Sequence, residues 1–230
     1  MEYRGFTAER LASFFDHTVL SPTATLQDVL AGAETALRHG VKAYCVRPID
    51  VPMAAKLFAG SAITVATVVG FPHGTSTTAS KVFEARESMM AGATELDMVI
   101  NQAAMLSADF ETVRADITAV VDAAHSVDGV LVKVILETAN LSPEQIVTAC
   151  HLSMLSGADF VKTSTGFAAH GATAEHVALM RATVGESMGV KASGGVASLD
   201  QAIDLIEAGA SRIGLSRTET LFEEFSAKSK

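Results

Sequence analysis

The chain has 230 residues, of which 49% are hydrophobic and 19% charged, with a formal net charge of −9. This composition can bury a large core and excludes disorder over nearly all of the length. The acidic balance, with basic residues scattered rather than striped, excludes a nucleic-acid surface, so an anionic ligand must be held by local features. No apolar run reaches the ~18 residues of a membrane helix, and "MEYRGFTAERLASFF" lacks the apolar core of a signal peptide. Cys45 and Cys150 stand far apart, without metal-ligand spacing. They predict no disulfide framework and no zinc site, and a reducing cytoplasm fits best.

In chain order, "FFDHTVL" supplies a first strand at Phe14 to Thr18. Thr25 then caps a helix through "LQDVLAGAETALRHG", with Asp28 three residues on and Leu26, Val29, Leu30, Ala33 and Leu37 on one face. A second strand, Lys42 to Val46, contains Cys45, read as a small buried hydrophobe. A third, Ile63 to Val69, runs into the loop "GFPHGTSTT", a candidate pocket wall. The fourth, Glu95 to Ile100, carries Asp97; the fifth, Val130 to Leu136, carries Lys133. Ser142, Pro143 and Gln145 give an N-cap, a first-turn proline and a capping-box partner. The sixth strand, Phe160 to Ser164, carries Lys162, and the seventh, Val190 to Ser193, carries Lys191. Ser198 with Gln201 repeats the box before the eighth strand, Arg212 to Leu215. Gly40, Gly92, Gly157, Gly189 and Gly209 each precede a strand and read as helix stops.

Strands that read as apolar runs and alternate with helices belong to parallel sheets covered on both faces. Eight such repeats in about 200 to 250 residues predict an α/β fold of the (β/α)₈ TIM-barrel type rather than a doubly wound sheet. The glycine fingerprints of dinucleotide and P-loop sites are missing. No Pro/Ser-rich linker divides the chain, so residues 1–230 are expected to form one domain.

Lysine is rarely buried without a partner, yet "VKTSTG" and "VKASGG" place Lys162 and Lys191 inside strands, ahead of hydroxyl-rich and glycine-rich turns. A lone strand lysine can snorkel outward between helices, and Lys133 is assigned that role. For the other two, a chemical use exists. An ordinary lysine amine, with pKa about 10.4, is neutral in about one part in 10³ at pH 7. A second ammonium at about 4 Å contributes on the order of 4 kcal/mol of repulsion, enough to free a neutral nucleophile. That amine can add to a carbonyl and form an iminium, the electron sink for breaking a neighbouring C–C bond. Asp97 in "ELDMVI" is the candidate proton-transfer group, against the plainer role of a carboxylate that neutralises a lysine. Gly194 and Gly195 after strand seven, and Gly214, Ser216 and Arg217 at the end of strand eight, stand where barrels commonly hold phosphate. Asp16 and Thr18 could face substrate hydroxyls. His17, His73 and His170 suggest no metal triad and are read as structural; no metal and no cofactor are expected.

"FDHTVL", "CVRP", "TVVGFPHG", "ELDMVIN", "LVKVILET", "VKTSTGF", "VKASGGV" and "RIGLS" resemble, in order and over nearly the whole chain, the deoxyribose-phosphate aldolases. The resemblance implies a (β/α)₈ barrel and a metal-independent lyase. Its reaction would be reversible cleavage of 2-deoxy-D-ribose 5-phosphate to acetaldehyde and D-glyceraldehyde 3-phosphate, in deoxyribonucleoside catabolism. It makes Lys162 the Schiff-base lysine, Lys191 its pKa-lowering partner and Asp97 the proton-transfer carboxylate. It puts Thr165, Gly166, Gly194, Gly195, Gly214 and Ser216 near the phosphate, and implies a homo-oligomer, dimer or tetramer. Arg217 replaces a second serine of many members. The tail tyrosine of some members has no counterpart in "EEFSAKSK", which leaves proton exchange to water and Asp97. Another imine-forming aldolase, or a sugar-phosphate-binding barrel without turnover, remains an alternative reading of the residues.

Overall fold

Strand and helix alternate along the described residues, as the punctuation predicts, except that two helices in succession follow the fourth strand. The computed structural model describes residues 1–229. Its strands are β1 (Phe15–Val19), β2 (Ala43–Val46), β3 (Thr64–Val69), β4 (Glu95–Val99), β5 (Leu131–Ile135), β6 (Phe160–Lys162), β7 (Gly189–Ser193) and β8 (Arg212–Leu215). Each pairs in parallel with its sequence neighbour, and β1 pairs with β8, closing an eight-stranded barrel. The helices are α1 (Ala8–Ala12), α2 (Leu26–His39), α3 (Val51–Leu57), α4 (Thr78–Met90), α5 (Gln102–Leu106), α6 (Phe110–His125), α7 (Pro143–Leu155), α8 (Ala174–Val184), α9 (Leu199–Glu207) and α10 (Thr218–Lys228). Seven of the eight strands differ from expectation at one end or both. The largest difference is β6, which leaves the ladder after Lys162, where the Ser193 N–H donates to the hydroxyl of Thr163 rather than to its carbonyl.

The core lies between barrel and helices. Residues two apart on a strand share a face, and the outward series Leu96, Met98, Val132, Val134, Val161, Val190, Ala192 and Ile213 joins Ile117, Val120, Ile146 and Val177 from the helices in one buried cluster. Each Val, Leu, Ile or Met side chain among them contributes about 1.5–3 kcal/mol on burial.

Local signals are largely obeyed, with three corrections. Thr25 with Asp28, and Ser142 with Gln145, close reciprocal capping boxes. Ser198 caps α9, but the side chain of Gln201 accepts from the N–H of Ala197, one residue early, so that box stays open. Gly189 is not a helix stop: α8 ends at Val184, and Gly189 opens β7, where a Cβ would meet the Phe160 ring at 2.0 Å. On α2 the buried face is Val29, Gly32, Ala33 and Ala36, whereas Leu26, Leu30 and Leu37 face outward. Small residues win because the helix lies against β1 so closely that a Cβ on Gly32 would stand 2.6 Å from Val19 Cγ2.

Candidate active site

The same two-residue alternation that sends Leu96 and Met98 outward sends Glu95 and Asp97 into the lumen. Register completes the set: Asp97 is level with Lys133, Lys162 with Lys191, and Lys191 with Arg212. On the β2 and β3 side the lumen is lined by small apolar groups, Ala43, Cys45, Ala66 and Val68, covered by Leu20 and Phe71. The lumen is thus half charged and half apolar.

Asp97 stands at the centre of the charged half, fully buried. Its Oδ1 accepts from Lys133 Nζ at 2.8 Å, and its Oδ2 accepts from both Lys162 Nζ at 2.6 Å and Lys191 Nζ at 2.8 Å. Lys133 also reaches Glu95 at 2.5 Å. This overturns the outward role assigned to Lys133: it is an inward, buried member of the cluster. Lys191 lies 2.5 Å from Asp16 Oδ2, and Arg212 donates to Asp16 Oδ1 at 2.6 Å and to Glu95 Oε2 at 2.8 Å. Asp16 is fully buried, as are Asp97 and Lys191. It points inward like Thr18 but sits one layer deeper, where two cations take its oxygens; Thr18 lines the cavity.

The charges are not equivalent. Burial pushes the Asp97 carboxyl up, but Lys133, Lys162 and Lys191 outweigh it and hold the group well below the usual carboxylate range. Burial likewise opposes ionisation of Glu95, yet Lys133 and Arg212 bring it to about 2. Lys191 is raised above the ordinary lysine value, because the pull of Asp16 and Asp97 exceeds the cost of burial. Lys162 is lowered: burial favours its neutral amine, the charge of Lys191 adds to that, and Asp97 does not compensate. The difference follows from carboxylate count, two beside Lys191 and one beside Lys162.

Above the cluster opens a cavity of about 850 Å³ at the C-terminal ends of the strands. Lys162 lines it, as do Thr165, Gly166, Gly194, Gly195, Gly214, Ser216 and Arg217. Gly194 and Gly195 have φ of 83° and 72°, a consecutive left-handed pair that only glycine adopts readily. Gly171 packs so tightly on this turn that a Cβ would lie 1.9 Å from the Gly194 carbonyl oxygen. Arg217 precedes α10, whose first turn has no side-chain cap, leaving N–H groups at the cavity edge. Phe71, from the expected wall loop, meets the cavity-lining Phe167 edge-on at 5.4 Å.

His17 is buried; its Nδ1 is 2.8 Å from Thr218 Oγ1, and burial lowers its pKa to about 4, so it is neutral near pH 7. His73 and His170 are exposed. Among the described residues no group of His, Cys, Asp and Glu could hold a metal ion. Burial raises the Cys45 thiol to about 11, so it stays protonated. Sequence reasoning missed Glu95 and Arg212, although Glu95 stands two residues before Asp97 and hence on the same face. It also missed Glu137, which accepts from Thr165.

A parallel (β/α)₈ barrel with a buried amine and carboxylate cluster beneath a glycine-lined cavity defines the class: barrel enzymes whose site suits small carbonyl compounds. Within that class the chain belongs to the DeoC/LacD family of aldolases, whose family model matches residues 10–218, and it is therefore a lyase. It is 50% identical over 206 residues to the deoxyribose-phosphate aldolase of Bacillus mycoides, covering 90% of this chain and 92% of that one. It is 52% identical over 203 residues to that of Brevibacillus brevis, covering 88% and 90%. Among solved structures, the tetrameric deoxyribose phosphate aldolase of Aeropyrum pernix superposes with a TM-score of 0.89 at 35% identity, over 96% of this chain and 93% of that chain.

Proposed function

We propose that the protein cleaves 2-deoxy-D-ribose 5-phosphate reversibly to acetaldehyde and D-glyceraldehyde 3-phosphate through a Schiff base on Lys162. The observation that carries this reading is that Lys162 alone combines a lowered pKa with a place in the cavity wall, whereas Lys133 and Lys191 are raised and lie deeper. Charge balance supports it. Three carboxylates, Asp16, Glu95 and Asp97, face four cations, Lys133, Lys162, Lys191 and Arg212. The cluster becomes neutral when Lys162 gives up its proton.

The neutral Lys162 amine adds to C1 of the open-chain aldehyde, and loss of water leaves an iminium. The C2–C3 bond then breaks, its electron pair moving into the C1–C2 enamine while the C3 hydroxyl loses its proton and becomes the aldehyde of glyceraldehyde 3-phosphate. Protonation at C2 and hydrolysis release acetaldehyde and restore the amine. Asp97 accepts from both Lys162 and Lys191 on one oxygen, a position suited to passing protons between the amines and cavity water. The iminium inherits the Lys162 positive charge beside Asp97, which stabilises it. Gly166, Gly194, Gly195, Gly214, Ser216 and Arg217 supply the phosphate end with backbone N–H groups, a hydroxyl and a guanidinium.

The names of the relatives support this substrate and a role in deoxyribonucleoside catabolism. The tetrameric relative and the outward Leu26, Leu30 and Leu37 support a homo-oligomer, and free, buried Cys45 and Cys150 support a reducing, cytoplasmic setting. Acetaldehyde release from the phosphosugar, coupled to its enzymatic reduction, tests the reading. Lys162→Arg should abolish release, and Asp97→Asn should slow it about a hundredfold or more. Undiminished release by Lys162→Arg would remove the imine from the mechanism.

A further inference from the structure

Glu137 takes no part in the chemistry above, yet its conformation is costly. It follows β5 with φ 56°, in the left-handed region where a non-glycine residue is strained by about 1–3 kcal/mol. Its side chain is buried, and its oxygens accept from the Thr165 N–H at 3.3 and 3.4 Å and from the Thr165 hydroxyl. On either side, Leu136 N–H donates to the Lys162 carbonyl at 2.9 Å and Thr138 N–H to the Thr163 carbonyl at 2.9 Å. The carboxylate therefore extends the β5–β6 pairing beyond the point where β6 ends. Thr165 Oγ1 in turn accepts from the Phe167 N–H at 3.1 Å. One tether thus fixes the segment from Lys162 to Phe167.

That segment abuts the glycine turn after β7: a Cβ on Gly194 would lie 3.3 Å from the Gly166 Cα. The Thr165 hydroxyl donates its one hydrogen bond to Glu137, so it has none to offer a phosphate oxygen. We infer that Glu137 is a positioning residue that, through Thr165, sets the spacing between the Thr165–Phe167 wall and the Gly194–Gly195 turn, and so determines preference for a phosphorylated over an unphosphorylated substrate. The strained backbone is what aims the carboxylate across to Thr165 instead of into solvent.

The inference rests on the aldolase reading, so the wild-type protein is measured first, with 2-deoxyribose 5-phosphate and with unphosphorylated 2-deoxyribose. Glu137→Ala is expected to raise KM for the phosphosugar about tenfold, the worth of one hydrogen bond to a charged group. KM for 2-deoxyribose should rise less, and kcat should fall by a smaller factor than KM rises. Glu137→Gln keeps an acceptor for the Thr165 N–H and should recover much of the KM. Thr165→Val should shift the ratio of the two KM values in the same direction, and Glu137→Ala with Thr165→Val should be no worse than Glu137→Ala alone. If Glu137→Ala does not fold, Glu137→Gln and Thr165→Val carry the comparison. Equal KM changes for both substrates, or additive effects in the double variant, would overturn the inference while leaving the aldolase reading intact. A wild-type protein that cleaves neither sugar would overturn both.

Discussion

Lys162 and Lys191 hydrogen-bond to the same carboxylate oxygen and yet shift in opposite directions. Mutual repulsion, the argument available from sequence, treats the two alike; the second carboxylate on Lys191, Asp16, separates them. Lys191→Leu removes a positive charge near the proposed nucleophile and leaves Asp97 to Lys133 and Lys162. The Lys162 pKa should rise, and the pH profile of imine formation should move to higher pH, read by trapping rate against pH. An unchanged profile would contradict the electrostatic role of Lys191. Lys133→Met strips a buried partner from both Asp97 and Glu95 and should destabilise the fold by about 3–5 kcal/mol in chemical denaturation. A loss below about 1 kcal/mol, the size of a marginal surface pair, would contradict a stabilising role for these buried pairs. The motif residues were legible in the sequence because turn chemistry follows them directly. The direction of Lys133 was not, because a strand's facing depends on register, and a one-residue slip reverses it. The depth of Asp16 was equally hidden, since alternation gives the face and not the layer.

At the scale of elements, caps were the most readable feature because they are local. Ser142 both accepts the Gln145 N–H and has its own N–H satisfied by the Gln145 side chain. Ser142→Ala should cost about 1 kcal/mol, seen as a lower denaturation midpoint with an unchanged slope; no shift would mean that tertiary contacts alone hold the start of α7. The buried face of α2 was misread, since leucine spacing fits a helical stripe at several rotations and close approach to β1 selects the small residues. Glu137 was beyond reach in the same way. A left-handed glutamate leaves no compositional mark, whereas the left-handed pair Gly194 and Gly195 announces itself.

For the whole molecule, alternating elements and apolar strands made the barrel readable, while the half-charged lumen emerges only when eight strands close. That lumen links stability to pH. Asp97 and Glu95 have folded-state pKa values below their ordinary values, so their contribution is complete above the unfolded-state values and is lost as pH falls through the folded ones. The free energy of unfolding should therefore decline as pH falls from about 5 to about 2, and Glu95→Gln should flatten part of that decline. A stability flat across this range would contradict the ionised cluster.

Borohydride reduction of the protein in the presence of 2-deoxyribose 5-phosphate, followed by intact-mass measurement and peptide mapping, tests the proposed chemistry most directly. The expected result is one covalent adduct per chain, on Lys162. Cleavage of the phosphosugar without an adduct, or with the adduct on Lys133 or Lys191, would contradict it.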